Sequence, residues 1–274
     1  MNLKQALRHS LEPDELDHLV RSYDVVGDIA IIALPPPLFH RETLIGEAIL
    51  NINKRIKVVA RRDGCCSGEY RITPLKIIAG EQRLETIHRE FGVLLHLDLG
   101  RVYFSPRSGN ERKRLADMVV DDESILVMFS GIAPAPLLLA KHSPAATIIG
   151  VEKNSDAHHF ALINRKKNRA EKKVSLWCGD VIDLVPSCGM KFDRIVMPLP
   201  GSARSFLRLA IHALRCGGHL HLYDFQPQSQ FGETVAALQL ASHQAGRTMR
   251  LDNLVVCGHN SPSSYRICVD ASIF

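Results

Sequence analysis

From about residue 120 onward, short apolar runs alternate with longer stretches whose apolar residues recur every three or four positions. The short runs predict buried strands and the longer spacing predicts helices. Strands are predicted at 125–129, 147–151, 174–178, 192–197 and 219–223. A helix starts at 137–140, and further helices cover 155–168, 202–215 and 233–245. Asn154 or Ser155 suits a helix N-cap, while Gly217-Gly218 and Gly246 read as helix stops. Residues 254–257 and 265–269 read as a final antiparallel pair. Strand and helix in alternation predict an α/β fold with a doubly wound, mostly parallel sheet.

The first hundred residues are less regular. The pattern predicts a short helix at 13–21, a turn at 23–27 and a strand at 28–34 stopped by Pro35-Pro36-Pro37. A helix at 40–51 buries Leu44, Ile45, Ala48 and Ile49. Strands follow at 57–61, at 70–79 despite Pro74, and at 85–88 and 93–98. A short strand at 102–106 and a charged helix at 107–117 lead to the sheet. The division expected is a small α+β domain over 1–99 and a larger one over 100–274.

The stretch 125–152, ILVMFSGIAPAPLLLAKHSPAATIIGVE, joins a strand, a glycine turn, a helix, a second strand and a closing acid. Gly131 lets backbone amides approach a ligand, and Glu152 can accept from ribose hydroxyls. A dinucleotide fingerprint needs GxGxxG, and only Gly131 is present. No GK[ST] follows, which excludes a phosphate-binding P-loop. On these residues an S-adenosylmethionine site and a purely structural βαβ unit both fit.

Composition narrows the classes. Hydrophobic residues make up 46% of 274, as in a globular chain. Lys and Arg number 34 against 29 acids, a formal charge of +5 that permits a polyanionic partner without requiring one. No apolar run approaches the roughly 18 residues of a membrane span, and the N-terminus has no apolar signal core. Seven cysteines form no CxxC pair, so no zinc or disulfide framework is expected and the cytoplasm is the expected compartment. The basic run NRKKNRAEKK at 164–173 reads as a solvated helix end or as an RNA-facing patch.

Seven further pieces carry a family resemblance: VGDIAII (26–32), GEYRI (68–72), ETIHREFG (85–92), VYFSPRSGNERKR (102–114), DRIVMPLPGSARSFL (193–207), GGHLHLYDF (217–225) and NSPSSYRICVD (260–270). In this order they resemble the archaeal and eukaryotic tRNA (guanine-37-N1)-methyltransferases, class I adenosylmethionine-dependent enzymes. The resemblance implies a seven-stranded Rossmann-like sheet preceded by a small RNA-contacting domain. It also implies that the family's additional N-terminal domain is missing. The implied acceptor is guanine in the tRNA anticodon loop. Glu111 takes the place of the general base, which must reach the N1 proton. Arg71 takes the place of the cation that stabilises charge on O6. Cofactor contacts fall to Tyr103, Phe104, Phe129, Gly131, Glu152 on the ribose, Lys153, Asp180 on the adenine amino group, Val181, Pro198 and Pro200. Arg61, Arg62, Arg107, Arg112, Lys113 and Arg114 are the candidate phosphate contacts.

The chain departs from the family pattern at two places. The family's NLP reads PLP here, so Pro198 replaces an Asn of the methyl-transfer site and brings no amide. In VMFSGIAPAP, Val127 replaces an acid and Ala133 a glycine. Two further readings follow. One is transfer of the aminocarboxypropyl group of the same cofactor, as in wyosine biosynthesis. The other is a non-catalytic RNA-binding or scaffolding relative.

Overall fold

The computed structural model describes residues 2–64, 68–261 and 263–274. Cys65 and Cys66 lie outside the described residues; Cys178, Cys188, Cys216, Cys257 and Cys268 are free thiols. The chain forms two compact units, Met1–Pro106 and Arg107–Phe274. Among the described residues no helix is long and apolar enough to cross a membrane.

In the first unit, helices α1 (Leu3–Leu7) and α2 (Pro13–His18) precede strands β1 (Tyr23–Val26) and β2 (Ile29–Ile32). Helix α3 (Glu42–Ile52) crosses to β3 (Val58–Arg62), and β4 (Leu75–Gly80) completes a sheet ordered β1-β2-β3-β4. Ile45 and Ile49 of α3 join Ile32, Val59 and Ile78 in one apolar core. The segment expected as a turn at 23–27 is mostly strand β1, which pairs antiparallel with β2. The turn itself is Gly27-Asp28. A Cβ on Gly27 would lie 2.1 Å from the Thr86 hydroxyl, so only glycine fits there. The strand expected over 70–79 starts only after Pro74, because a proline inside it could not donate to the ladder. Strands β5 (Glu85–Glu90) and β6 (Val93–Asp98) form a separate hairpin. Its tip, Phe91-Gly92, has both residues at positive φ, as a two-residue hairpin demands. Residues 102–106 are not a strand.

In the second unit, α4 (Gly109–Asp117) leads to β7 (Ser124–Met128), α5 (Pro134–His142), β8 (Thr147–Glu152), α6 (Ser155–Lys167) and β9 (Val174–Cys178). Then come α7 (Val181–Ser187), β10 (Phe192–Met197), α8 (Leu207–Ala213), β11 (Leu214–Gln226), α9 (Phe231–Gln244), β12 (Met249–Ser261) and β13 (Ser264–Ile273). The seven strands lie in the order β12-β13-β11-β10-β7-β8-β9. β7 to β11 are mutually parallel, and β13 runs antiparallel to both its neighbours. Strands at 174–178 and 192–197 fall where the apolar pattern put them.

Two expectations fail for local reasons. The helix expected over 202–215 is a 3-10 turn, Ala203–Phe206, followed by the short α8. Gly217-Gly218 do not cap it; they lie inside β11, where the register with β10 shifts. A Cβ on Gly218 would sit 2.9 Å from the Asp193 carbonyl oxygen, so glycine allows the close approach. Helix α7 carries Pro186, which hides it from a periodicity reading. The outer strand β12 breaks register with β13 at three places, between Leu251 and Asn253, Val256 and Gly258, and His259 and Ser261.

Ala133 stands at φ 66°, ψ 36° ahead of α5 and is fully buried. A left-handed backbone costs an alanine roughly 1–2 kcal/mol, partly offset by its lower unfolded-state entropy. Ala133→Gly is therefore expected to stabilise the protein by about 0.5–1 kcal/mol, seen as a higher denaturant midpoint. An unchanged or lower midpoint contradicts this reading of the turn.

Candidate active site

The carboxyl ends of β7, β8 and β10 gather most of the predicted cofactor residues. After β7 the chain turns through Phe129 (φ 57°) and Gly131 (φ 57°). Ser130 N–H donates to the Val151 carbonyl at 2.9 Å, tying the turn to β8. Gly131 N–H donates to Glu152 Oε2 at 2.7 Å, and Asn154 N–H donates to Oε1 at 2.8 Å. Glu152 thus closes β8 by clamping the glycine turn. Burial holds its carboxyl above the usual range, and the backbone donors of Asn154 and Gly131 oppose that rise. A Cβ added at Gly131 would meet nothing within 4 Å, so the turn is open. The Ser130 hydroxyl, on a residue only 4% exposed, has no hydrogen-bond partner. It sits over Gly150, where any side chain would collide with it.

Asp180 follows β9 and caps α7, accepting from Ile182 N–H at 3.0 Å. Lys153 pairs with it at 3.0 Å. The Ile182 donor, with Lys153 beside it, holds the carboxyl below its usual value despite partial burial. Val181, the first residue of α7, is buried. Phe129 packs edge-on against Phe206 at 4.9 Å.

Pro198 and Pro200 follow β10. Leu199 N–H reaches back to the Met197 carbonyl at 2.9 Å, so the chain folds tightly around Pro198. Asp224 of β11 holds the other end of this loop. It accepts from Gly201 N–H (3.2 Å), Arg204 Nε (2.6 Å) and the Thr234 hydroxyl (2.9 Å). Burial would raise Asp224, yet Thr234 and Arg204 keep it below the ordinary carboxylate value. Sequence reasoning missed Asp224; an acid inside the apolar run HLHLYDF was the available signal.

Glu111, only 8% exposed, sits in the first turn of α4 at one end of a buried polar chain. Its Oε1 accepts from the Tyr223 hydroxyl (2.6 Å) and Arg114 Nη2 (2.6 Å); Oε2 accepts from Arg114 Nε (2.9 Å). Arg114 also donates to both oxygens of Asp270, at 2.7 and 3.2 Å. His221 Nδ1 donates to Asp270 Oδ1 at 2.6 Å. Arg194 Nη1 donates to His221 Nε2 at 2.7 Å and grips Glu123 through Nε (2.6 Å) and Nη2 (2.7 Å). Guanidinium only donates, so Nε2 carries no proton and His221 is neutral with its proton on Nδ1. Burial lowers His221 further. Burial would raise Asp270, but His221 and Arg114 hold it well below the carboxylate range. His221, Cys268 and Asp270 lie close enough to resemble a metal site. The two guanidiniums already occupy the cation positions beside His221 and Asp270.

The remaining predicted catalytic and cofactor residues belong to the first unit. Arg71 lies on a turn rather than a strand, at φ 54°, its N–H bonded to the Gly68 carbonyl. Tyr103 is 50% exposed, and Phe104 packs against His88 with the rings tilted, their centroids 5.1 Å apart. An open groove lined by Val25, Gly27, Arg83, Thr86, His88 and His96 contains none of the predicted site residues. Of the candidate phosphate contacts, Arg61 is withdrawn: it is buried between Glu42 and Asp63 and stacked over Phe39. Arg114 is spent on Glu111 and Asp270, and Lys113 pairs with Asp117. Arg62 is half-exposed beside Asp24, and Arg107 is exposed.

The strand order, the antiparallel β13 and the acid-clamped turn define a Rossmann-like methyltransferase fold. The family model described as TRM5/TYW2 methyltransferase domain matches residues 86–249, and the TYW2 N-terminal domain model matches 3–83. The chain belongs to the TRM5/TYW2 methyltransferase family. It is 35% identical over 260 residues to tRNA (guanine(37)-N(1))-methyltransferase Trm5b of Pyrococcus abyssi, covering 94% of this chain and 77% of that protein. The crystal structure of that wild-type Trm5b superposes with a TM-score of 0.88 over 96% of this chain and 78% of the other. A solved complex of aTrm5 with tRNALeu gives 0.85 at 27% identity, over 98% and 76%. The tRNA(Phe) (4-demethylwyosine(37)-C(7)) aminocarboxypropyltransferase of Methanocaldococcus jannaschii is 28% identical over 74% of this chain and 77% of that protein.

The buried chain makes the fold acid-sensitive. His221 and Asp270 both release protons more readily when folded, so the unfolded state binds more protons as pH falls. The stability His221 confers is complete above its ordinary value of 6.5 and is lost progressively below it. Asp270 extends the loss below 3.8. Denaturant midpoints are expected to fall steadily from pH 7 to pH 5, with the His221 ring still protonated on Nδ1 alone by NMR. An imidazolium in the folded protein at pH 6 contradicts the network.

Proposed function

We propose that the protein transfers a methyl group from S-adenosylmethionine to N1 of the guanine at position 37 in the tRNA anticodon loop. The observation that carries this reading is the Glu152 carboxylate, fixed at the tip of β8 against an open glycine turn. The carboxylate accepts backbone N–H groups from Gly131, Asn154 and Lys153, which leaves one of its roughly four lone-pair positions for a ribose hydroxyl. The unpaired Ser130 hydroxyl and the space over Gly131 suit a polar ligand lying against the backbone. Asp180 offers a carboxylate to the adenine amino group. The similarity to Trm5b, over nearly the whole chain, supports the acceptor.

When bound, the cofactor supplies an electrophilic methyl group. The chain's own residues do the rest. Glu111 takes the N1 proton on Oε2, since Oε1 already accepts two strong donors. Arg71 enters through the resemblance, holding charge on O6. Pro198 contributes shape rather than an amide, on a loop pinned by Asp224. Phosphate contacts, with Arg62, Arg107 and Arg112 the remaining candidates, make binding fall with salt.

Aminocarboxypropyl transfer is the second reading. The match of residues 3–83 to the TYW2 N-terminal domain and the loss of the Asn at Pro198 favour it. Donor labelled in the methyl group is expected to label guanine of unmodified tRNA, and donor labelled in the methionine carboxyl is expected to leave it unlabelled. Label from the carboxyl-labelled donor on tRNA that carries 4-demethylwyosine assigns the second reading; no label from either donor on either tRNA, beside working control enzymes, rejects both.

Cofactor affinity should depend on Glu152 in its ionised form. Because burial raises this carboxyl, affinity declines on acidification at a higher pH than an ordinary carboxylate would impose. Glu152→Gln is expected to weaken binding by about tenfold or more, the worth of a hydrogen bond to a charged acceptor. Calorimetry that finds Glu152→Gln unchanged removes Glu152 from the site.

A further inference from the structure

We propose that Tyr223 and Asp270 are positioning residues for the proton-accepting carboxylate, and that they select which oxygen of Glu111 meets the substrate. This rests on the reading of Glu111 as general base.

The inference starts from the lone pairs of one carboxylate. Glu111 Oε1 is filled by the Tyr223 hydroxyl and Arg114 Nη2, both at 2.6 Å. Oε2 receives only Arg114 Nε among strong donors, at 2.9 Å. A carboxylate oxygen accepts about two hydrogen bonds, so the open position for an N1 proton lies on Oε2. Tyr223 comes from β11 and Arg114 from the turn of α4 after Glu111. These two donors hold the carboxylate plane from independent elements.

Arg114 is itself held. Asp270 of β13 takes two of its N–H groups, and His221 of β11 fixes Asp270 in turn. Three carboxylates, Glu111, Asp270 and Glu123, therefore face two guanidiniums, Arg114 and Arg194, around a neutral imidazole. Of the two Glu111 oxygens, Oε2 carries fewer strong donors. The other groups facing the carboxylate are the thiol of Cys257 on β12, which hydrogen-bonds Glu111 and has the Arg266 guanidinium beside it, and the thiol of Cys268 on β13. Burial pushes Cys257 up to about 12 and holds Cys268 well above the usual thiol value, so both stay neutral. The ionisable groups of α5, which packs on α4, are Lys141 and His142 in its last turn.

The two residues act on the carboxylate in opposite senses. The Tyr223 hydroxyl stabilises the ionised form, so losing it makes Glu111 hold a proton more readily. Asp270 draws part of Arg114's charge away; without that carboxylate Arg114 is left wholly to Glu111, which then holds a proton less readily. A role limited to packing predicts neither shift.

Single-turnover methyl transfer to tRNA, followed across pH for the full chain, tests this. Glu111→Gln is expected to slow transfer at least about a hundredfold. Tyr223→Phe should move the acidic limb of the rate profile to higher pH and Asp270→Asn to lower pH, with tRNA and cofactor affinities unchanged. Tyr223→Phe removes only a hydroxyl, so its profile decides the matter if Asp270→Asn does not fold. Limbs that stay in place, or move in the same direction, overturn the inference while an inactive Glu111→Gln preserves the general base. An active Glu111→Gln removes the base and the inference together.

Discussion

A guanidinium inside a β-sheet has to be neutralised where it lies, and Arg194 imposes that requirement on the whole second unit. It is 2% exposed in the middle of β10. Its donors reach Glu123 just before β7, the Met118 carbonyl just after α4, and His221 in β11. Breaking a buried pair of this kind typically costs about 3–5 kcal/mol, because a charge is left without a partner. The carboxyl-terminal half of helix α4 is therefore fastened twice, through the Met118 carbonyl to Arg194 and through Arg114 in its last turn to Asp270. Glu111 rides on that fastened helix, and a reacting group is best held by a rigid element.

The sequence made the architecture legible because parallel strands buried on both faces leave continuous apolar runs. The runs at 125–129 and 147–151, which fall on the buried strands β7 and β8, are read from this alone. The Gly131 turn and Glu152 were readable too, since strand, glycine, helix, strand and acid follow one another within a short stretch. What stayed hidden depends on distance along the chain. The pairs Glu123–Arg194 and Arg114–Asp270 are separated by 71 and 156 positions, and no local pattern announces them. Tyr223 and Asp224 look like ordinary strand residues until β11 is placed beside β13 and the loop after β10. Arg61 looked like a surface cation until Glu42 and Asp63 closed over it.

The departures at Ala133 and Pro198 change side chains more than they change the path of the chain. Ala133 keeps the left-handed backbone that a glycine would adopt without strain, held there by the helix and strand on either side. Pro198 removes a donor, yet the loop after it remains fixed because Asp224 grips Gly201 and Arg204 instead. The glycine turn and the loop after β10 thus have separate anchors, Glu152 for one and Asp224 for the other.

The interrupted pairing of β12 has a consequence for the molecule in crowded solution. A long regular outer strand offers its unsatisfied amides and carbonyls to any extended chain that drifts past. Here each extra residue kinks the ribbon and turns the polar groups out of line. Arg250 and Asp252 add charge close to the first kink. The rim of the sheet is thereby a poor template for recruiting foreign strands, and self-association by that route is discouraged.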